Sequence, residues 1–305
     1  VRRENAGSNP VNVMPTLIRR EFWEHRPLWR APAIMAAILV LIAIFGRFQM
    51  GNMAALSTAQ AGAILGITVW AMSLVIFAIA GIVLSFYLLD CLHAERRDRS
   101  ILFWKSLPVS DAATVLSKFL VAMVVVPLGV FILTLATDLV VRGILSLRAG
   151  AGLMVEQLPL WDTGAWLQSQ ALLAVFLLAS LLWYTPLAAY LLVVSAWARR
   201  NVMLWAILPP VVLALVERIA LSTSYVWNFL ADRLRPAFPT MEGIETQIRS
   251  SVVTIHRDQV VSLPRLYEHV DVTAIFFNWQ MLLSLLAAAA LLFAAIRLRR
   301  WRDEG

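Results

Sequence analysis

Six apolar runs, separated by polar or charged stretches, dominate the pattern of this chain. Most of these runs reach the roughly 20 residues with which an α-helix crosses a bilayer. The pattern therefore predicts six membrane-spanning helices, and with them an all-α polytopic fold. The predicted spans are residues 31–45, 63–89, 119–137, 163–198, 202–221 and 272–296.

The run 163–198 is about half as long again as one crossing needs. Two spans would not fit comfortably, so we predict one span that is entered through a polar turn at residues 166–170, with a candidate bend at Pro186. Pro127 is a candidate kink in the third span, because proline has no N–H to donate. Asp138 and Arg142 are expected in the outer loop that follows that span.

Two helical regions are predicted outside the spans. Residues 14–29 place Leu17, Ile18 and Phe22 on one side of a helix, which favours an elbow helix lying on the cytoplasmic surface. The elbow belongs to a cytoplasmic N-terminal region, residues 1–30, in which no cleavable signal peptide is expected. An outer loop over residues 222–271 carries two amphipathic pieces, which predict helices between spans five and six.

Composition agrees with a membrane protein. Hydrophobic residues make up 60% of the chain and charged residues 15%, whereas charged residues are nearer a quarter of a water-soluble domain. Cys91 is the only cysteine, which excludes a disulfide within the chain and a cysteine-based zinc site. The net charge of +7 requires no nucleic acid partner if arginine is concentrated on one side of a bilayer.

The distribution of Lys and Arg orients the six spans. With both termini in the cytoplasm, 17 of these residues lie inside and 9 lie outside or near the outer surface. Five of those 9 fall in the long outer loop, where the positive-inside rule is weaker. We therefore predict a multi-pass protein of the plasma (inner) membrane, with one transmembrane domain over residues 31–298 and a cytoplasmic tail at 299–305.

The sequence offers little for enzymatic chemistry. It contains no GxxxxGK[ST], HExxH or GxSxG motif, so no catalytic, cofactor or metal residue is predicted in this chain. Glu217 and Arg218 are an adjacent charged pair within an apolar run; they either line a path or outer gate, or reach the outer headgroups. Asn278 and Gln280 in span six are candidates for the same path, although interhelical hydrogen bonding is the more ordinary role for them.

The densest charged stretch, residues 95–118, separates spans two and three. It reads as a short basic helix that Pro108 ends, followed by a new helix with Ser110 as its N-cap and Asp111 in its first turn. One interpretation is an interfacial loop with Phe103 and Trp104 at headgroup level. The other is a docking element for a soluble partner.

A family resemblance favours the second interpretation. Glu95, Arg96, Ser100 and Leu102, then Ser106-Leu107-Pro108-Val109-Ser110, then Lys118, resemble the cytoplasmic coupling segment of ABC type 2 export permeases. The resemblance places this coupling segment at residues 91–111, where a helix would insert into a cleft of a separate ATPase subunit. The residues it implicates in ATPase coupling are Glu95, Arg96, Ser100, Phe103, Trp104, Leu107 and Pro108.

The resemblance implies a transport complex with two permease subunits, expected to be a homodimer, and two ATPase subunits. ATP and Mg would be bound by the ATPase subunits, and the permease itself would be no enzyme. Two other functions stay open: a secondary transporter driven by an ion gradient, and a membrane scaffold or sensor that transports nothing. Copurification of an ATPase whose activity the permease stimulates would separate these hypotheses.

Overall fold

The computed structural model describes residues 13–46, 58–98, 109–150, 163–234 and 279–301, and every regular element within these ranges is a helix. In chain order they are α1 (Val13–Glu24), α2 (Pro27–Phe45), α3 (Thr58–Arg97), α4 (Asp111–Leu120), a π-helical turn (Val121–Val125), α5 (Val126–Gly150), α6 (Thr163–Trp197), α7 (Val202–Leu221), α8 (Tyr225–Leu234) and α9 (Trp279–Trp301). In this described part, six helical stretches are long and apolar enough to cross a membrane: α2, α3, α4 joined to α5, α6, α7 and α9. The chain thus has the six-span helical character of a multi-pass membrane protein.

The main core lies between α2, α3, α4–α5 and α6, with α9 packed along α6. Leu28, Ile76, Val115, Val126 and Leu192 are among its fully buried side chains. By contrast, α7 lies at the edge of this bundle and buries only Ala214. Its exposed face is apolar, as expected for a surface that contacts lipid or another membrane subunit.

The N-terminal region forms two helices with a break between them. The predicted elbow helix over 14–29 ends at Glu24, and Pro27 begins α2, because a proline is favoured in the first turn of a helix and disfavours helical geometry before it. Trp29 therefore belongs to the first span, where its ring stacks on Phe22 with centroids 4.2 Å apart and planes 13° apart.

The third span changes its hydrogen bonding beside Pro127. The π turn ends at Val125, two residues before this proline, with the Val126 N–H bonded to the Val121 carbonyl. Where π-helix occurs, it is mostly as such single turns inside α-helices. Pro186, Pro209 and Pro210 lie inside continuous helices.

Two predictions about the other end of the bundle were wrong. Residues 166–170 do not form a turn but belong to α6, and Asp138 and Arg142 lie within α5, which continues to Gly150. Asp138 is only 3% exposed. The physical reason is that polar side chains of different helices hydrogen-bond one another here, so they need no water and do not end the helix.

We expect Gly129 to be required for the contact between α2 and α5. A Cβ at this position would lie 2.5 Å from Cζ3 of Trp29, whereas a Cβ at Gly143 would meet nothing within 4 Å. Gly129→Ala should therefore lower the free energy of unfolding by about 1–3 kcal/mol through overpacking. Gly143→Ala, in the same helix, should be neutral or stabilising, because Ala has the higher helix propensity.

Thermal unfolding of both variants in detergent measures the difference. A Tm of Gly129→Ala equal to that of Gly143→Ala would contradict this packing.

Candidate functional site

A buried ionic network joins α1, α3, α4 and α9 at one end of the bundle. Its centre is Lys118, whose side chain is 0% exposed. Lys118 Nζ lies 2.7 Å from Glu21 Oε1 on α1 and 3.2 Å from Glu95 Oε1 on α3. The members of this network, which we call the ionic junction, are Glu21, Glu95, Asp111, Lys118 and Arg299.

Arg299 brings the C-terminal helix into the ionic junction. Its Nη1 lies 2.7 Å from Glu95 Oε2, and its Nε lies 3.1 Å from Asp111 Oδ1. Glu95 is therefore shared between Lys118 and Arg299. A carboxylate that bridges two cations fixes three helices relative to one another.

The charges of the ionic junction are compensated. Arg20 adds a third cation, with Nη2 3.6 Å from Glu95 Oε1. The hydroxyl of Tyr87 donates a hydrogen bond of 2.8 Å to Glu21 Oε2. The ring of His25 lies beside the same oxygen at 3.6 Å, and burial lowers the pKa of His25, which favours its neutral form. A buried group of this kind is costly to break, because removal of one partner leaves an uncompensated charge.

The last turns of α3 are also attached to the end of α6. Ser195 Oγ accepts hydrogen bonds from the backbone N–H groups of Leu92 and His93, each at 3.1 Å. Arg96 Nη2 donates to the carbonyl oxygens of Ser195 at 2.5 Å and Ala198 at 3.0 Å. Carbonyls at a helix C-terminus have no partner within their helix, so a cation there satisfies them.

The residues that make these contacts lie on either side, in sequence, of the stretch in which a coupling helix is expected. Ser100, Phe103, Trp104, Leu107 and Pro108 lie in 99–108, outside the described residues. Glu95 and Arg96 precede this stretch, and the structure engages both side chains in contacts within the chain. After it, Ser110 Oγ accepts a hydrogen bond from Ala113 N at 3.1 Å, which confirms the predicted N-cap.

A second polar cluster lies far along the same helices. The Asp138 carboxylate accepts hydrogen bonds from Ser73 Oγ at 3.1 Å and Gln170 Nε2 at 2.8 Å, which links α5 to α3 and α6. At 1.5 Å per residue, Asp138 is about 30 Å along its helix from Lys118. That separation matches the thickness of a bilayer's hydrocarbon core.

Comparison with known proteins gives no match. No family model, curated protein or solved structure matches this chain.

The candidate path residues occupy separate places. Glu217 caps α8: its carboxylate accepts hydrogen bonds of 2.7 Å from Thr223 Oγ1 and from the backbone N–H groups of Tyr225 and Val226. Arg218 is exposed on α7, and Gln280 is exposed in the first turn of α9. Asn278 lies outside the described residues. The contacts of Glu217 therefore support a helix-capping role at the turn between α7 and α8.

Sequence reasoning missed the partners of the ionic junction. It assigned no role to Glu21 or to the pairing of Arg299, which lies 204 residues from Glu95. One signal was available: Lys118 shares a helix face with Val115 and Ala122, both buried. A lysine within an apolar face requires a carboxylate nearby, although the sequence does not say which one.

We expect Lys118→Met to be strongly destabilising. The substitution leaves the carboxylates of Glu21 and Glu95 buried without their shared cation, a change that typically costs about 3–5 kcal/mol. The double variant Lys118→Met/Glu21→Gln should recover much of this loss, because it removes one charge of each sign. Arg297→Met is the control: the guanidinium of Arg297 lies over the rings of Phe293 and Trp301, at 5.1 and 5.8 Å from their centroids, so the expected loss is less than about 1 kcal/mol.

The measurement is the free energy of unfolding in detergent. No recovery in the double variant would show that the ionic junction is not organised by this pair.

Proposed function

We propose that this chain is the transmembrane permease subunit of an ABC exporter, which moves substrate across the membrane using ATP hydrolysed by a separate ATPase subunit. The single observation that carries the proposal is the position of the ionic junction. It joins the helix ends that flank the stretch 99–108 in sequence, through Glu95 on one side and Asp111 and Lys118 on the other. A segment anchored in this way suits the transmission of movement from a docked partner.

The helices that leave the ionic junction support such transmission. One, α3, is a continuous helix of 40 residues, about 60 Å long. The other, α4–α5, runs from Asp111 to Arg148 over 38 residues, with the π turn as its only change of hydrogen bonding. Ser73 and Asp138 connect the two again at the far end. A displacement at 99–108 would therefore be transmitted across the bilayer by two connected helices, α3 and α4–α5.

In this proposal the ionic junction faces the cytoplasm, and the chain is a multi-pass protein of the inner membrane. Glu21 of α1 and Arg299 of α9 both belong to the ionic junction, so the first and last described helices contribute residues to the same end of the bundle. Helix α1 is then the elbow helix. Its Trp23, which is 68% exposed, would lie at headgroup level, where tryptophan is enriched.

The proposal assigns three protein partners to the chain, together with the lipid bilayer. Two copies of an ABC ATPase would dock on the coupling segment and bind ATP and Mg, and a second copy of the permease would complete the membrane part. The exposed apolar face of α7 supports a contact with such a copy or with lipid. No nucleic acid is involved.

The first test concerns docking. If 99–108 enters an ATPase cleft, Phe103 and Trp104 bury apolar surface against the partner, at about 25 cal/mol per Å². Phe103→Ala/Trp104→Ala should then reduce the amount of copurified ATPase and abolish permease-stimulated ATP hydrolysis, with membrane insertion unchanged. The matched control is Arg297→Ala, a charge removed from the last turns of α9 without touching the ionic junction.

Equal recovery of ATPase with both variants would refute the docking assignment. It would leave the interfacial-loop interpretation of Phe103 and Trp104. If wild-type chain recovers no ATPase, a gradient-driven transporter or a membrane scaffold becomes the better hypothesis.

The second test concerns transmission after docking. Glu95→Gln removes the charge that Lys118 and Arg299 share while keeping the size of the side chain. We expect the ATPase to copurify normally and the stimulation of its activity to fall at least about fivefold, the lower end of typical coupling between sites. Asp90→Asn is the control, an acidic residue of the same helix that is half exposed and 3.9 Å from Arg97.

ATPase stimulation by the Glu95→Gln variant at the level of Asp90→Asn would contradict a transmitting role of the ionic junction.

A further inference from the structure

Arg233 on α8 contacts two other helices, α6 and α9. Its Nη1 donates a hydrogen bond of 2.8 Å to the carbonyl oxygen of Trp183 on α6, and its Nη2 donates to Ser284 Oγ on α9. The guanidinium carbon lies 4.0 Å from the centroid of the Trp183 ring and 5.4 Å from that of Phe229. Arg233 is only 8% exposed.

Within the described part of the chain, no carboxylate lies within ion-pair distance of Arg233. Lys118 and Arg299, the other deeply buried cations, each contact two carboxylates. A guanidinium has five N–H groups, and the two hydrogen bonds of Arg233 leave three of them. A carbonyl, a hydroxyl and aromatic faces do not neutralise its charge, so its burial is incompletely compensated.

The depth of Arg233 makes this charge more costly. Trp183 is about 18 Å along α6 from Ser195, which lies beside the ionic junction, and about 20 Å from Gln170 in the Asp138 cluster. Arg233 thus contacts a carbonyl near the middle of the apolar stretch Ser169–Trp197 of α6. It reaches this depth because the chain reverses at Ser222, with φ 52°, and α8 packs back beside α7. An ionisable group at such depth marks a functional site by default.

The surroundings indicate what chemistry would supply a counter-charge that the described residues do not provide. A fork of N–H groups matches the oxygens of a phosphate or similar oxyanion. A free ion would have to enter the apolar interior, whereas the headgroup of an amphiphile can arrive with its own acyl chains. Phe229 beside the guanidinium is 58% exposed, and Trp227 on α8 is 57% exposed. These aromatic faces offer apolar surface for such chains.

We propose that α6, α8 and α9 form a binding site for an anionic amphiphile, in which a phosphate-type oxyanion pairs with Arg233 and the acyl chains lie against Phe229 and the neighbouring apolar surface. The proposal deepens the proposed function, since the amphiphile would be a substrate of the exporter. Binding itself needs neither ATP nor an ATPase subunit.

The test measures lipid binding to the purified chain in detergent by native mass spectrometry. The probes are phosphatidylglycerol, diacylglycerol with the same acyl chains, and inorganic phosphate. We expect wild-type chain to bind phosphatidylglycerol at least about tenfold more tightly than diacylglycerol, equivalent to about 1.4 kcal/mol. Inorganic phosphate at millimolar concentration should not displace the lipid.

Substitutions locate the site. Arg233→Gln should remove the preference for phosphatidylglycerol, and Arg233→Lys should keep part of it, because the charge remains but the fork of N–H groups is lost. Arg297→Gln is the matched control, since Arg297 also lies over aromatic rings, those of Phe293 and Trp301, at 5.1 and 5.8 Å. The preference of the wild-type chain for phosphatidylglycerol over diacylglycerol is measured without any variant. The proposal can therefore still be tested if Arg233→Gln does not fold.

Equal wild-type affinity for the two lipids would overturn the proposal, as would an unchanged preference in folded Arg233→Gln. Displacement by inorganic phosphate would overturn the assignment of an amphiphile. If an ATPase copurifies with the chain but the chain shows no preference for phosphatidylglycerol over diacylglycerol, only this inference fails. If the lipid preference holds and no ATPase associates, the exporter proposal fails and the binding site stands.

Discussion

The structure depends on the burial of one lysine. Lys118 lies on an apolar helix face, where its ammonium group has no access to water. A charge in such a place is tolerated only when oppositely charged groups accompany it. Glu21 of α1 and Glu95 of α3 supply the carboxylates that pair with this ammonium group. Glu95 also pairs with Arg299 of α9. One buried ammonium group thus fixes the N-terminal helix, the C-terminal helix and two spans at a single end of the bundle.

Between its two polar ends, the described core is mostly apolar. The ionic junction lies at one end and the Ser73, Asp138 and Gln170 cluster at the other, about 30 Å apart along the helix. Lipid offers no hydrophobic force to hold helices together, so specific polar contacts and close packing have to do it. These two polar clusters, one at each end of the described core, link α3 to α4–α5 and fix their register.

Arg233 departs from this arrangement. It lies near mid-depth, between the two polar clusters, and its partners are a carbonyl, a hydroxyl and two aromatic rings. Buried cations that serve the fold, such as Lys118, have carboxylates in the same chain. Lys118 is thus a charge that organises helices, whereas Arg233 is the charge to which we assign a ligand.

The sequence by itself determined the helical class and the number of spans, because the length of an apolar run is a local property. The fifth predicted span, 202–221, has the bounds of α7, and Ser110 is the N-cap of a helix, as its side chain predicted. Only the tertiary structure decided which charges meet. Glu21 and Lys118 are 97 residues apart, and Asp138 was assigned to a loop because its partner Gln170 could not be foreseen. A polar residue ends a span if it needs water and continues it if another helix supplies its hydrogen bonds.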